Sequence, residues 1–104
     1  MPVKIFHNRY LFVKIDDTKD TYIDIYSEIQ NVFVSLYGYI SLGLSRLKLV
    51  QYISDKKILI LRIDSKYHDH LVTSLIYLSI IKDVKIDYIG SSSTLRQGKR
   101  KYGI

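Results

Sequence analysis

The sequence predicts one α+β domain in which four strands and two helices follow the order β-α-β-β-α-β. Two observations support this prediction: short stretches with the two-residue alternation of a half-buried strand, and two longer stretches with the 3.6-residue period of a helix. The chain of 104 residues is long enough for one domain with its own core. It has no cysteine, which excludes disulfides and thiolate metal sites.

The first predicted strand covers residues 9–15. Its apolar residues Leu11, Val13 and Ile15 alternate with the residues of the opposite face, as in a strand with one buried side. We expect this apolar side to pack against the helices.

The first predicted helix begins at Tyr22 after a polar turn, with Asp20 or Thr21 as its N-cap. Apolar residues then recur at helical spacing as far as Gly38, where the helix is predicted to end. Residues 39–45 contain further small residues and are predicted to form a link.

Residues 46–52 and 58–63 predict the second and third strands, which are antiparallel because only a short polar turn joins them. The second helix follows, capped by Asp64 or Ser65, and residues 84–89 form the fourth strand. This order predicts a ferredoxin-like or RRM-like sandwich, in which both helices cover one face of a four-stranded antiparallel sheet.

The face of the sheet away from the helices is predicted to be free and to carry rings interleaved with cations. These residues are Tyr10, Phe12, Lys14, Arg46, Lys48, Tyr52 and Arg62. Such a face stacks bases and neutralises phosphates in RNA-recognition folds. The competing interpretation is that exposed strand tyrosines only support sheet propensity.

The second helix is apolar on every side between residues 75 and 81, apart from Ser79. A helix that is apolar all round must be buried all round, and one sheet covers only one side of it. We therefore expect another polypeptide to cover the rest. The residues assigned to this protein-partner surface are Leu75, Ile76, Leu78, Ile80 and Ile81.

A polar stretch and a basic tail follow the fourth strand. The net charge of +6 resides mainly there, because the rest of the chain has twelve basic and ten acidic residues. We divide the chain into a sandwich domain, residues 1–95, and a basic C-terminal tail, residues 96–104, which is predicted to be disordered until it binds a polyanion. An ordinary frayed basic terminus is the alternative. The tail cations are Arg96, Lys99, Arg100 and Lys101.

No catalytic machinery is recognisable in the sequence. His68 and His70 are two residues apart, a spacing that does not suit a metal-binding helix, and both are interpreted as surface residues. The chain has no phosphate-binding glycine loop and no nucleophile elbow. No apolar run approaches the roughly 20 residues that span a bilayer, and the N-terminus lacks an export signal, so we expect no membrane association and a cytoplasmic location.

Five stretches in a fixed order resemble one known family. They are RYLFVKI, LYG followed by RLKLVQY, ILILRI, a helix rich in Leu and Ile, and VKIDYIGSSSTLRQGKRK. Over about residues 3–101 the chain resembles ribonuclease P protein component 2, the small α/β subunit shared by archaeal and eukaryotic ribonuclease P and by eukaryotic ribonuclease MRP. The most specific pieces are Arg9-Tyr10, Tyr37-Gly38, Arg62, and the turn at residues 92–94, where Ser93 stands in place of the glycine typical of the family.

This resemblance implies a non-catalytic subunit that binds the catalytic domain of ribonuclease P RNA. With protein component 3, such a subunit promotes the Mg²⁺-dependent removal of the 5′ leader from precursor tRNA, which it contacts only indirectly. It binds no cofactor itself, since Mg²⁺ belongs to the RNA active site. Other holoenzyme subunits, and a second copy of this chain within a heterotetramer, are further implied partners. The lack of an acidic C-terminal extension leads us to expect an archaeal origin.

On this interpretation the four tail cations contact phosphates, and Ser92, Ser93 and Thr94 supply amide and hydroxyl donors. Four residues are expected to add contacts from the sheet: Arg9, Tyr10, Lys48 and Arg62. A stand-alone RRM-like RNA-binding module is the alternative, although the third strand lacks the aromatic residues of that family's RNP1 motif. An acylphosphatase-type enzyme is a second alternative, although HNRYLFVKIDDT has the wrong order for its phosphate loop.

Overall fold

The computed structural model describes residues 7–16, 21–82 and 85–104. In chain order its elements are β1 (Asn8–Asp16), α1 (Tyr22–Ser45), β2 (Lys48–Ile53), β3 (Ile58–Asp64), α2 (His68–Ile81), β4 (Lys85–Ser92) and α3 (Leu95–Lys101). The strands form one antiparallel sheet in the order β2-β3-β1-β4. The predicted α+β, ferredoxin-like arrangement is confirmed, with α3 as an additional helix. The alternative N-cap Asp20 and the predicted start of β4 at Val84 lie outside the described residues.

The main core lies between the sheet and the pair α1 and α2. The alternating residues Leu11, Val13 and Ile15 of β1 all face it, as their spacing predicts. The helices contribute Ile25, Ile29, Val32 and Phe33 from α1 and Leu71, Leu75 and Leu78 from α2. The apolar alternation of the strands therefore identifies the helix-covered face of the sheet.

The start of α1 is fixed by a reciprocal cap between Thr21 and Asp24. The Asp24 amide donates to the Thr21 hydroxyl at 3.2 Å, and the Thr21 amide donates to the Asp24 carboxylate at 3.4 Å. This capping box satisfies two amides that the helix itself leaves unpaired. Thr21 is thus the N-cap, as one of the two predictions had it.

Gly38 interrupts α1 but does not end it. Its φ of 90° and ψ of 167° are non-helical, and the helix resumes beyond it as far as Ser45. Residues 39–45 are therefore helical, and the predicted link is wrong: the glycine absorbs a local kink instead of terminating the helix. Arg46 adopts the left-handed conformation of a C-cap and precedes β2 instead of belonging to it.

A register irregularity in β2, between Leu49 and Gln51, changes which side chains face the core. An extra residue in a strand reverses the alternation that follows it. As a result, Tyr52 packs against the main core and stacks on Tyr22 with ring centroids 4.6 Å apart. The prediction that placed Tyr52 on the free face is wrong for this reason.

The second face of the sheet is covered in part by α3, which packs on β1 and β4. Phe12, at 0% exposure, forms a small second core with Ile58 and Ile60. Three residues of the C-terminal segment pack on this second core: Leu95, Tyr102 and Ile104. Phe12 is therefore not an exposed ring, and residues 95–104 pack as part of the domain instead of forming a disordered tail. The sequence did not predict this packing, because a run of cations separates Leu95 from Tyr102 and Ile104.

His70 is enclosed by aromatic rings instead of lying on the surface as predicted. Its ring centroid lies 4.4 Å from that of Tyr37 and 5.2 Å from that of Tyr67. His68 is half-buried, with Nε2 3.0 Å from the Tyr88 hydroxyl. Within the described ranges, no three His, Asp or Glu side chains come together as a metal site, and no helix is both long and apolar enough to cross a bilayer.

Candidate nucleic-acid interface

Four polar residues form a single row across one end of the sheet. Strand pairing places Tyr10 opposite Arg62 on one side and opposite Ser92 on the other, and it places Arg62 opposite Lys48. Directly opposed residues project from the same face of a sheet, which here is the face that carries α3. The structure thus brings together Lys48, Arg62, Tyr10 and Ser92, which the sequence nominated separately.

A groove of about 420 Å³, the basic groove, lies where β1, β4 and α3 meet. Its lining residues are Arg9, Ser91, Ser92, Ser93, Gln97, Arg100 and Lys101. Three of them are cations, and none of these lining residues is a carboxylate. Guanidinium and ammonium groups beside serine hydroxyls suit the phosphate oxygens of a nucleic-acid backbone.

A second groove of about 520 Å³, the polar groove, shares Arg9 and Ser93 with the first. Its lining residues are His7, Asn8, Arg9, Tyr10, Ser65, Ser93, Thr94 and Leu95. The sequence did not nominate His7, Asn8 or Ser65 for this site. No sequence signal could have found them, because only the pairing of β1 with β3 brings Asn8 opposite Asp64 and so beside Ser65.

The four predicted phosphate-binding cations all lie on α3. Arg96 and Arg100 are exposed and one helical turn apart, so they share a face of the helix. Lys101 is exposed, with Nζ 5.6 Å from the Tyr102 ring centroid, and Lys99 is half-buried. Only Arg100 and Lys101 of the four line the basic groove.

The cations are held in place because both ends of α3 are attached to the sheet. At the start, the Ser92 hydroxyl of β4 donates to the Thr94 carbonyl at 2.6 Å, and Leu95 packs on the second core. At the end, the Tyr102 ring lies 5.1 Å from that of Phe12, and its hydroxyl donates to the Ser91 carbonyl at 3.3 Å. The Lys56 ammonium, from the turn between β2 and β3, donates to the Gly103 carbonyl.

The three residues predicted as hydroxyl donors differ in their availability. Ser92 is 8% exposed, and its hydroxyl donates to the Thr94 carbonyl at 2.6 Å. This hydroxyl is therefore already paired within the chain, and the phosphate contact of Ser92 stays a prediction. Ser93 is exposed, and its hydroxyl donates to Gln97 at 3.2 Å.

Two of the five residues assigned to a protein partner belong to the core. Leu75 and Leu78 are 2% and 0% exposed and pack against the sheet, so no partner can reach them. The other three are accessible: Ile76, Ile80 and Ile81 are 57%, 72% and 51% exposed. They form what we call the α2 surface.

A second apolar surface lies on α1 around and beyond its kink, and the sequence interpretation missed it. This α1 surface consists of Leu36, Tyr39, Ile40 and Leu44. Tyr39 and Ile40 are 80% and 81% exposed, more than the other large apolar residues in the described part of the chain. A sequence signal did exist, because residues 29–45 contain no charged side chain.

Comparisons with known proteins give a family match and a structural match. Residues 9–103 match the model of the Rpp14/Pop5 family. No curated protein matches the sequence. Among solved structures, a chain of the cryo-EM structure of yeast ribonuclease MRP is similar, with a TM-score of 0.62 and 16% identity over 91% of this chain and 80% of that one. At this identity, the likeness to the yeast chain establishes a shared fold.

Proposed function

The chain belongs to the Rpp14/Pop5 family of ribonuclease P and MRP subunits, and from this premise we propose that it is a non-catalytic subunit that binds the RNA of ribonuclease P. The proposal extends to the removal of the 5′ leader from precursor tRNA, carried out by the RNA with the support of this chain. We assign it, as the resemblance indicates, to protein component 2 of an archaeal, cytoplasmic enzyme.

The observation that carries the proposal is the basic groove. Its three cations are Arg9, Arg100 and Lys101, and its lining includes no carboxylate. These cations come from two elements, β1 and α3, that pack against each other through Phe12 and Gly98. A fixed set of cations supports attachment to closely spaced phosphates, because no helix has to form during binding.

The two apolar surfaces support the presence of protein partners. Ile80 of the α2 surface and Ile40 of the α1 surface are among the most exposed apolar residues described. Contiguous exposed apolar side chains mark interaction sites in soluble proteins. We assign these surfaces to protein subunits of the same ribonucleoprotein, protein component 3 among them, and leave the α3 face to RNA. A second copy of this chain within a heterotetramer is a further partner under this proposal.

The proposed role gives this chain no chemical step. Mg²⁺ acts within the RNA, and precursor tRNA is contacted only indirectly. Where lysines and arginines neutralise closely packed phosphates, fewer divalent ions are needed to hold the folded RNA together. The chain therefore lowers the Mg²⁺ concentration at which the RNA cleaves its substrate.

The burial of Phe12 weighs against a stand-alone RRM-like module. Such modules stack bases on aromatic side chains of the open sheet face. Here Phe12 is covered by α3, and Tyr52 packs on the opposite side of the sheet. Stacking on the middle of this sheet would require α3 to leave it, so the subunit reading is the better one.

Reconstitution tests the proposal. Ribonuclease P RNA and candidate partner subunits are assembled with and without this chain, and cleavage of precursor tRNA is followed as Mg²⁺ is lowered. The chain should lower the Mg²⁺ needed for half-maximal cleavage. The double variant Arg100→Gln/Lys101→Gln should lose this effect, whereas Lys82→Gln should retain it, because Lys82 lies on the helix layer beside Glu28. Equal Mg²⁺ requirements with and without the chain would contradict the proposal.

A further inference from the structure

The two grooves differ in composition: the basic groove suits the phosphate of a nucleotide, and the polar groove suits its base. The basic groove has three cations, but the polar groove has only Arg9. The remaining lining of the polar groove offers an amide, an imidazole, a phenol ring, hydroxyls and the apolar Leu95. These groups suit a heterocyclic base better than a phosphate, since bases are recognised by stacking and by hydrogen bonds to their edges. A volume of about 520 Å³ lies within the usual range of ligand pockets, about 300–1,000 Å³.

Asn8 supplies the specific feature of this groove. Its amide oxygen is enclosed and accepts no hydrogen bond. An enclosed acceptor without a partner is costly, so a turn of the whole side chain about its Cα–Cβ bond, which would bring both amide atoms into the groove that Asn8 lines, would be favoured by a ligand that pairs with them. A donor on a bound base would then satisfy it.

Arg9 lies at the boundary of the two grooves and lines both. A base in the polar groove therefore has its own backbone beside the basic groove. Asparagine pairs in two-point fashion with adenine, accepting from the N6 amino group and donating to N7. Tyr10 contributes an aromatic ring to the same groove.

We propose that the polar groove takes an unpaired adenine of the bound RNA, with Asn8 on its N6/N7 edge and the adjoining phosphates on Arg9, Arg100 and Lys101. This inference rests on the proposed RNA-binding function and adds a sequence preference to it. Phosphate contacts position an RNA without reading its sequence, whereas the base contact would select one nucleotide.

The test uses the full chain with labelled single-stranded RNA decamers of adenine or uracil. The adenine decamer should bind more tightly, on the order of tenfold, the discrimination typical of a two-point base contact. Asn8→Ala should abolish this preference and leave the salt dependence of binding unchanged. Arg100→Gln should weaken both decamers and reduce their salt dependence, but it should keep the preference.

A chemically modified RNA tests the same contact with the wild-type protein, so the result does not depend on whether a variant folds. A decamer of N6,N6-dimethyladenine cannot donate from N6, so the wild-type chain should bind it no better than the uracil decamer. Equal binding of adenine and uracil decamers, a preference that survives Asn8→Ala, or tight binding of the dimethylated decamer would each overturn the inference. Absence of decamer binding would also overturn it, and the cleavage assay of the proposed function would remain a separate measurement.

Discussion

Gly98 of α3 lies directly over the ring of Phe12 in β1. A Cβ atom at Gly98 would overlap that ring and come within 2.5 Å of the Ser92 hydroxyl. The helix that carries the cations thus contacts the sheet through bare backbone.

Gly98→Ala should therefore lower the free energy of unfolding by about 1–3 kcal/mol, the usual cost of overpacking. At an open helix position the same change would raise stability by about 1 kcal/mol. Arg96→Ala, on the exposed side of α3, is the matched control and should change stability by no more than about 0.5 kcal/mol. Denaturant unfolding followed by circular dichroism measures both. A Gly98→Ala variant more stable than the wild type would show that α3 is not packed as described.

The kink in α1 provides a second pair of glycine variants. A Cβ atom at Gly38 or at Gly43 would have open space around it, so only the backbone conformation distinguishes the two positions. Gly38→Ala should cost about 1–3 kcal/mol, because φ is 90° there. Gly43→Ala should instead gain up to about 1 kcal/mol in a helical segment. Equal effects in thermal unfolding would contradict the kink.

Salt dependence tests the basic groove. Each lost phosphate contact lowers the slope of log affinity against log salt by about 0.7–0.9. Arg100→Gln should show this decrease in titrations of ribonuclease P RNA at several salt concentrations. Lys82→Gln is the control and should leave the slope unchanged, because the Lys82 ammonium pairs with Glu28 at 3.1 Å on the helix layer, away from the basic groove. An unchanged slope for Arg100→Gln would remove Arg100 from the interface.

Leu78 and Ile80 separate the core from the α2 surface. Leu78→Ala should cost about 2–5 kcal/mol of stability, because Leu78 is 0% exposed. Ile80→Ala should change stability by no more than about 0.5 kcal/mol, because Ile80 is 72% exposed. If the α2 surface binds a protein subunit, Ile80→Ala should still weaken co-purification of partner subunits in the reconstituted particle. Full retention of every partner would argue against that surface.

Tyr26 makes stability depend on alkaline pH. Its hydroxyl donates to the Leu47 carbonyl at 3.4 Å, and burial raises the pKa of this phenol above its ordinary value of 10.0. The unfolded chain therefore loses this proton at lower pH than the folded chain. Stability from this group is complete below pH 10 and falls as pH rises above it toward the folded pKa. Tyr26→Phe should show a smaller loss of unfolding free energy between pH 9 and pH 11 than the wild type, and an identical loss would contradict this role.

The regular strands could be predicted from sequence because burial of one face imposes a strict alternation. That alternation correctly placed Leu11, Val13 and Ile15 in the core. It failed at Tyr52, since the irregularity between Leu49 and Gln51 depends on pairing with β3 and leaves no mark in the sequence of β2. The prediction that α1 ends at Gly38 failed for a related reason. A glycine indicates a break in a helix, but only tertiary packing decides whether the helix resumes beyond it.

The candidate site was predicted in its charges but not in its architecture. The cations of α3 were nominated as phosphate contacts, yet their run concealed Leu95 and Tyr102 as anchors on the sheet. The composition of the second helix suggested a partner surface, but only the packing separates buried Leu75 from exposed Ile76. Asn8 and Ser65 become neighbours of the turn at Ser93 only after folding.

Because both ends of α3 are tied down, the RNA binding that we propose would be thermodynamically linked to the stability of the domain. Ordering six residues of a free arm would cost about 6–12 kcal/mol of backbone entropy at the moment of association. In this chain that ordering accompanies folding, driven by burial of Phe12, Leu95 and Tyr102 against the sheet. Under the proposed function, affinity for RNA would therefore depend partly on hydrophobic residues that touch no phosphate, and a substitution beneath α3 would weaken assembly of the ribonucleoprotein.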